Sequence, residues 1–267
     1  MSIKILWVGE PVGSPGVFTL RYMLKDVIKN YSIDFTVVQA DSCTNGQGLG
    51  KTHAFYLHKL GVDVLCLGEH AFRQLDIVPV LKKSNWILRP ANVSGDGPGR
   101  GWIVKEIGNS KLKVAVVNLI GQRGFSRFHA DSPYTAFDNI YQELKDCVIL
   151  IDFHAAMTAE KLSFAHYVDG KAALLAGSHT KVLTGDEKIS SQGTAYISCC
   201  GRTGSSTGVL GTNPHIAIKN FRFGIPVIHK SWHNDLELQG IILELSDSGK
   251  PLHIERIRLQ CKEEFHA

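Results

Sequence analysis

The chain has 267 residues, 44% hydrophobic and 20% charged, the composition of a core-forming globular protein rather than a disordered one. Lys and Arg number 29 against 25 Asp and Glu, a formal net charge of +4, and the basic residues are scattered, so neither a nucleic-acid duplex nor a membrane surface is indicated as a partner. No apolar run reaches the roughly 18 residues of a membrane span, and the N-terminus lacks the features of a signal peptide. The six cysteines (43, 66, 147, 199, 200 and 261) form no CxxC pair and read as reduced and mostly buried, which predicts a cytoplasmic protein. Twelve histidines is the unusual count.

The patterning predicts alternating strands and helices. Ile3–Val8 is a short apolar run expected as a buried strand. Thr19–Lys29 follows as a helix, with Leu20, Met23, Leu24, Val27 and Ile28 on one face. Asp34–Val38 is expected as a strand, His53–Leu60 as a helix and Val62–Leu67 as a third strand, a rhythm that implies a largely parallel sheet covered by helices. Ser84–Gly101 reads as a Pro/Gly-rich loop. Lys113–Leu119 and Val148–Phe153 are expected as buried strands around a helix near Ala136–Lys145, followed by a helix at Ala159–His166 and strands at Ala172–Ala176 and Ala195–Ser198. Leu238–Leu245 and His253–Leu259 alternate apolar and polar residues, as half-exposed antiparallel strands do. The expectation is an α/β fold with two sheets packed face to face, helices outside, and residues 1–267 in a single domain.

Ligands of open α/β sheets lie outside the carboxyl ends of the strands. The residues following the predicted strands are Gly9-Glu10, Asp41-Ser42, Gly68-Glu69-His70, Gly121, His154 and Gly177-Ser178-His179-Thr180-Lys181. Five of these six ends bring a carboxylate or a histidine, the donor set for Zn, Mn or Fe, although a lone histidine is more often a satisfied surface or core residue. Two other motifs compete. Asn45–Thr52 (NGQGLGKT) is one glycine short of a P-loop. Gly97–Gly101 (GPGRG) offers backbone N–H groups and Arg100 to an anion, or is simply a turn.

ILWVGEPVGSPG, GVDVLCLGEH, RPANVSGDGPGRGW, VILIDFHAAMTAEK, YVDGKAALLAGSHTKVLTGDE and GTAYISCCGRTG, in this order and spacing, resemble the bacterial YmdB-like metallophosphoesterases of the calcineurin-like superfamily, from about Ile3 to about Val227. The resemblance implies a four-layer α/β/β/α sandwich of two mixed sheets flanked by helices. It also implies two metal ions, hydrolysis of a small-molecule phosphodiester such as a cyclic nucleotide, and a homo-oligomer. Carried over position by position, the family's first-strand Asp is Glu10 here, its bridging Glu is Asp41 and the neighbouring Asn is Ser42. The Asn of its GNH motif is Glu69, with the His kept as His70. The His of DFHA is His154. Of the two histidines in GTHTH the first is His179 and the second is Lys181.

One metal position thus keeps four capable ligands, Asp41, Glu69, His154 and His179, whereas the other falls to Glu10, Asp41, Ser42 and Lys181, and a protonated lysine has no lone pair to give a metal. The expectation is one divalent ion (Fe, Mn or Zn) rather than two, with Lys181 paired to Glu10 and acting on the phosphoryl charge and His70 as general acid. The bland role for His70 is to orient a ligand carboxylate. Asn92, Arg100 and Asn118 are weak candidates for phosphate contacts, and Asp152 is a candidate partner for a ligand histidine. The alternative function is a catalytically degenerate module that binds a nucleotide or a protein.

Overall fold

Strand β1 (Ile3–Val8) divides its side chains between two cores: Ile3, Ile5 and Trp7 face one, Leu6 and Val8 the other. The same alternation organises the whole chain. In the computed structural model, residues 2–93, 95, 97–108, 111–125, 129–225, 230–263 and 265 are described. After β1 come β2 (Glu10–Pro11), α1 (Gly13–Tyr31), β3 (Phe35–Gln39), α2 (Lys51–Lys59), β4 (Val64–Cys66), α3 (Val78–Lys83) and β5 (Ile87–Leu88). Then follow β6 (Trp102–Ile107), β7 (Leu112–Ile120), α4 (Pro133–Glu143), β8 (Val148–His154), α5 (Thr158–Val168) and β9 (Leu174–Ser178). The last part holds β10 (Lys188–Ile189), β11 (Ala195–Ile197), β12 (Arg202–Ser205), α6 (Pro214–Phe223), β13 (Leu236–Leu245) and β14 (Pro251–Gln260).

The first sheet runs β2-β12-β13-β1-β3-β4-β5, with β14 also paired to β13. Its strands β1, β3, β4 and β5 are parallel, and β13 is antiparallel to β1 and β14. The second runs β10-β11-β9-β8-β7-β6, parallel from β11 through β7 and antiparallel at both ends. Ile5, Val37 and Val64 of the first sheet share a core with Val114, Leu150 and Leu174 of the second, so the sheets pack face to face. On the outer faces, Leu20 and Leu24 of α1 and Leu57 of α2 pack on Leu6, Val38 and Leu65, while Phe137 of α4 and Phe164 of α5 pack on Val117 and Ile151. The order helix, sheet, sheet, helix is the four-layer sandwich the sequence implied.

Several expectations need correction. Helix α1 begins at Gly13 rather than Thr19; its Pro15 lies in the first turn, where a missing N–H costs nothing. The Ser84–Gly101 loop contains β5, and β6 and α6 were not foreseen. Helix α6 nonetheless carries readable signals: the Asn213 side chain accepts from His215 N, Pro214 opens the helix, and Gly224 closes it at φ 64. Strand β13 is not half exposed. Its Ile241, Leu243 and Leu245 join the core between the sheets, and Leu238 and Ile242 join the core beneath α1 and α2; β14 alone keeps a wet face. Among the described residues, no helix is long and apolar enough to cross a membrane.

Candidate metal centre at the shared strand ends

Both sheets deliver the carboxyl ends of parallel strands to one rim. From the first sheet, β2 carries Glu10, the segment after β3 carries Asp41 and Ser42, and the segment after β4 carries Gly68, Glu69 and His70. From the second, β8 ends on His154, and the segment after β9 carries His179 and Lys181. His154 follows Leu150 and Asp152 at a spacing of two, so all three share the face turned toward the first sheet. Residues His179 and Lys181 have φ values of 85° and 57°, a left-handed conformation that non-glycine residues pay strain to hold and that occurs preferentially at functional sites.

Glu69, His154 and His179 bring one ligand atom each within 4.8 Å of one another, and Asp41, Glu69 and His70 form a second such group. His154 Nε2 contacts Glu69 Oε2 and lies 4.0 Å from Asp41 Oδ2. His179 Nδ1 is 3.2 Å from both His154 Nε2 and Glu69 Oε1. His70 Nδ1 hydrogen-bonds with Asp41 Oδ2 at 2.9 Å and stands 3.6 Å from Glu69 Oε1. Asp41 is fully buried and also accepts from the backbone N–H groups of Gly68 (2.6 Å) and His70. Gly68 is irreplaceable here, since a Cβ on it would sit 2.4 Å from His154 Nε2.

A further layer fixes these groups. His154 Nδ1 is 2.9 Å from Gln39 Nε2 and 3.1 Å from Ser178 Oγ, and Ser178 Oγ donates to Asp152 Oδ2 at 3.3 Å. Gln39 Oε1 in turn accepts from Asp41 N. Lys161, 1% exposed, donates from Nζ to the Ser178 carbonyl at 2.7 Å and so anchors the strand end that carries His179. Phe125 covers the cluster, its ring 6.0 Å from that of His154 and edge-on to His179 at 5.0 Å.

The electrostatics are those of a cation site. Burial raises the Asp41 carboxyl despite the His70 hydrogen bond. Burial also opposes ionisation of Glu69, but His154 and His179 outweigh it and hold that carboxyl well below the usual range. His154 is fully buried, which lowers its pKa, yet Glu69, Asp41 and Glu10 raise it to about 9. Burial disfavours the charged His70 as well, and the Asp41 bond reverses this and raises it. The carboxylates therefore draw positive charge onto the imidazoles, and a divalent cation competes with those protons for the same lone pairs. Oxygen and imidazole nitrogen are donors suited to Zn, Mn or Fe, so the residues present fit such an ion.

The neighbouring position differs. Glu10 Oε1 accepts from Ser42 Oγ and lies 3.3 Å from Lys181 Nζ. Glu10 is 1% exposed, and its other oxygen, Oε2, is buried with no partner among the described residues. Burial lowers the Lys181 pKa, but Glu10, Glu69 and Asp41 more than restore it, so the ammonium stays charged.

Three of the weaker candidates stand apart. Asn92 donates to the carbonyls of Ile120 and Asp131 and accepts from Ile120 N, and Asn118 donates to the carbonyls of Leu67 and Leu88. The Asn92 amide thus serves the backbone, whereas Asn118 ties the second sheet to the first just before Gly68 through Nδ2 and leaves Oδ1 buried without a partner among the described residues. Arg100 is exposed, and its backbone pairs with Leu88 and Arg89. The N–H groups of the Asn45–Thr52 loop that a phosphate would need are spent on its surroundings: Gly48 N donates to the Asp41 carbonyl, Gly50 N to Thr44 Oγ1 and Lys51 N to Asp76. Gln39, Phe125, Lys161 and Ser178 escaped the sequence reading. Ser178 and Lys161 had a signal, Ser178 lying one residue before His179 in the same strand-end segment and Lys161 closing the VILIDFHAAMTAEK motif.

Comparison with known proteins agrees with this geometry. The family model described as YmdB-like protein matches residues 6–257. The chain belongs to the YmdB-like family. A 2′,3′-cyclic-nucleotide 2′-phosphodiesterase of Bacillus subtilis (strain 168) is 33% identical over 258 residues, spanning 96% of each chain. The crystal structure of a novel phosphatase from Mycoplasma pneumoniae superposes with a TM-score of 0.91 at 29% identity, over 97% of this chain and 94% of that one. A 5′-nucleotidase precursor from Thermus thermophilus shares the fold at a TM-score of 0.56 and 14% identity, over 97% of this chain and 54% of that one. The protein is accordingly a phosphoester hydrolase of the calcineurin-like fold.

Proposed function

We propose that the chain hydrolyses a cyclic nucleotide or a related small phosphodiester at a centre built for one divalent cation, with the Lys181 ammonium in the place of a second. Asp41, Glu69, His154 and His179 would hold the ion, which when bound supplies an activated water and a Lewis acid for the phosphoryl group. The observation that carries this reading is the pair of buried Glu10 and half-buried Lys181, 3.3 Å apart, beside a cluster that still has its full set of oxygen and nitrogen donors. Lys181 satisfies Glu10 with one of its N–H donors and has others for a phosphoryl oxygen. His70 is held by Asp41 on its Nδ1 side, is partly exposed and carries a raised pKa, which suits it to give a proton to the leaving alkoxide.

Neutrality of the centre with one ion, three carboxylates and one lysine makes its pull on an anionic diester weaker than that of a two-metal site. The shared inter-sheet core supports residues 1–267 acting as one unit, and six unpaired cysteines, five of them buried, suit a cytoplasmic location. The test is elemental analysis of the purified protein together with hydrolysis of a 2′,3′-cyclic nucleotide. About one tightly held transition metal per chain with measurable turnover, and a rise toward two ions in Lys181→His, is the expected result. A Lys181→His protein that still holds a single ion overturns the assignment of Lys181. Absence of both metal and turnover with Mn, Fe or Zn added leaves a binding module instead.

A further inference from the structure

A cavity of about 260 Å³ opens directly against the Lys181 side of the centre. Its walls come from Val12, two residues after Glu10, from Leu210, and from Ile216, Asn220 and Phe221 of α6; Lys181 itself forms part of the lining. The lining is thus mostly apolar, with Asn220 and Lys181 as polar members. Ligand sites for small molecules have this character, an apolar wall with a few convergent polar groups. Phe221 is 85% exposed although it is a large aromatic, and Leu210 beside it is 43% exposed with its backbone at φ 52. An uncovered ring at the edge of a cavity, next to a cationic end, matches a molecule with a flat apolar face and a phosphate a few atoms away.

We propose that this cavity is the base subsite for the nucleotide of the phosphodiester reading above, whose base stacks on Phe221 while its phosphate reaches Lys181. The inference rests on that reading and deepens it by giving the nucleotide's base a place in the fold. Stacking on an aromatic face tolerates any base. The Asn220 carboxamide adds donors and an acceptor for a base edge. The volume is slightly below the roughly 300–1,000 Å³ of sites for drug-sized ligands, which suits one base and its sugar.

The experiment compares adenosine 2′,3′-cyclic phosphate with methyl riboside 2′,3′-cyclic phosphate, which has the same ester and no base, in the natural protein and in Phe221→Ala. Because Phe221 is exposed, its truncation leaves the core intact. The natural protein is expected to favour the nucleotide in kcat/KM, and Phe221→Ala to reduce that preference about tenfold, through KM. In parallel, calorimetric titration with adenosine 3′-monophosphate and with inorganic phosphate reads binding without turnover. The ratio of the two affinities should fall by a similar factor in the variant. Equal cleavage of both esters by the natural protein, or an unchanged ratio in Phe221→Ala, overturns the subsite and leaves the hydrolase reading standing. Failure to cleave either ester, with Phe221-dependent binding of the nucleotide, overturns the hydrolase reading and supports the subsite.

Discussion

Lys181→Met is the sharpest test of the idea that an ammonium has taken the place of a cation. Methionine keeps most of the stem and removes the charge, leaving Glu10 1% exposed with Ser42 as its remaining side-chain partner and Oε2 still unsatisfied. Breaking a buried ion pair by removing one partner costs about 3–5 kcal/mol, because the other charge stays buried without compensation. The Lys181 side chain is 16% exposed, so some water reaches the site and the low end, about 3 kcal/mol, is expected. Against a total stability of about 5–15 kcal/mol that is a large fraction. With a urea m-value of about 3 kcal/mol/M, the unfolding midpoint should fall by about 1 M while m stays constant. The double variant Glu10→Gln/Lys181→Met removes both charges and should recover most of the loss. Manganese should also stabilise Lys181→Met more than the natural protein, since a cation bound only by the folded state adds its binding free energy to stability. The reasoning fails if Lys181→Met unfolds at the natural protein's urea concentration, or if the double variant is no more stable than the single one.

Two other expectations follow from single contacts. Alanine at Gly68 would place Cβ 2.4 Å from His154 Nε2 and 2.5 Å from Cδ2, so the ring must withdraw by about 1 Å to reach ordinary contact. Metal-ligand distances tolerate only about 0.2 Å, so Gly68→Ala should lose its metal in elemental analysis and about 1–3 kcal/mol in urea unfolding; a natural metal content would refute the placement of His154. Lys161 is buried with its Nζ on the Ser178 carbonyl, and burial lowers its pKa below the usual 10.5. Between that lowered value and 10.5 the unfolded chain binds more protons than the folded one, so unfolding free energy rises with pH across this window. Lys161→Met lacks the effect. The stability of the natural protein relative to Lys161→Met should therefore improve as pH rises toward 10.5, and a constant difference in urea titrations would show that Lys161 is not desolvated.

The strands and the rim they share were legible in the sequence because apolar runs ending in glycine and a polar residue are local signals. Glu10, Glu69 and His179 each follow such a run, Asp41 and His154 follow apolar runs without the glycine, and the resemblance of the surrounding motifs pairs Lys181 with Glu10 before any coordinates. Missed elements had weaker local signals: β5 has two residues, and α6 starts from an Asn-Pro cap that resembles a turn. Burial on both faces of β13 follows from its seat beside β1, between the inter-sheet core and the helical layer, and no alternation within β13 reports that seat.

What the sequence by itself determined is the identity and order of the donor groups, because covalent order and strand period place them at strand ends. What only the tertiary structure decided is which of them meet. The Gln39–His154 bond joins residues 115 positions apart and Trp7–Asp152 joins residues 145 apart, and such pairs exist only after two sheets close on each other. The same closure turned Asn92 and Asn118 toward backbone carbonyls, tied the Asn45–Thr52 loop to Asp41, Thr44 and Asp76, and left a cavity beside Lys181. Buried polar groups must find partners wherever the packed chain supplies them, and that supply is a property of the folded whole.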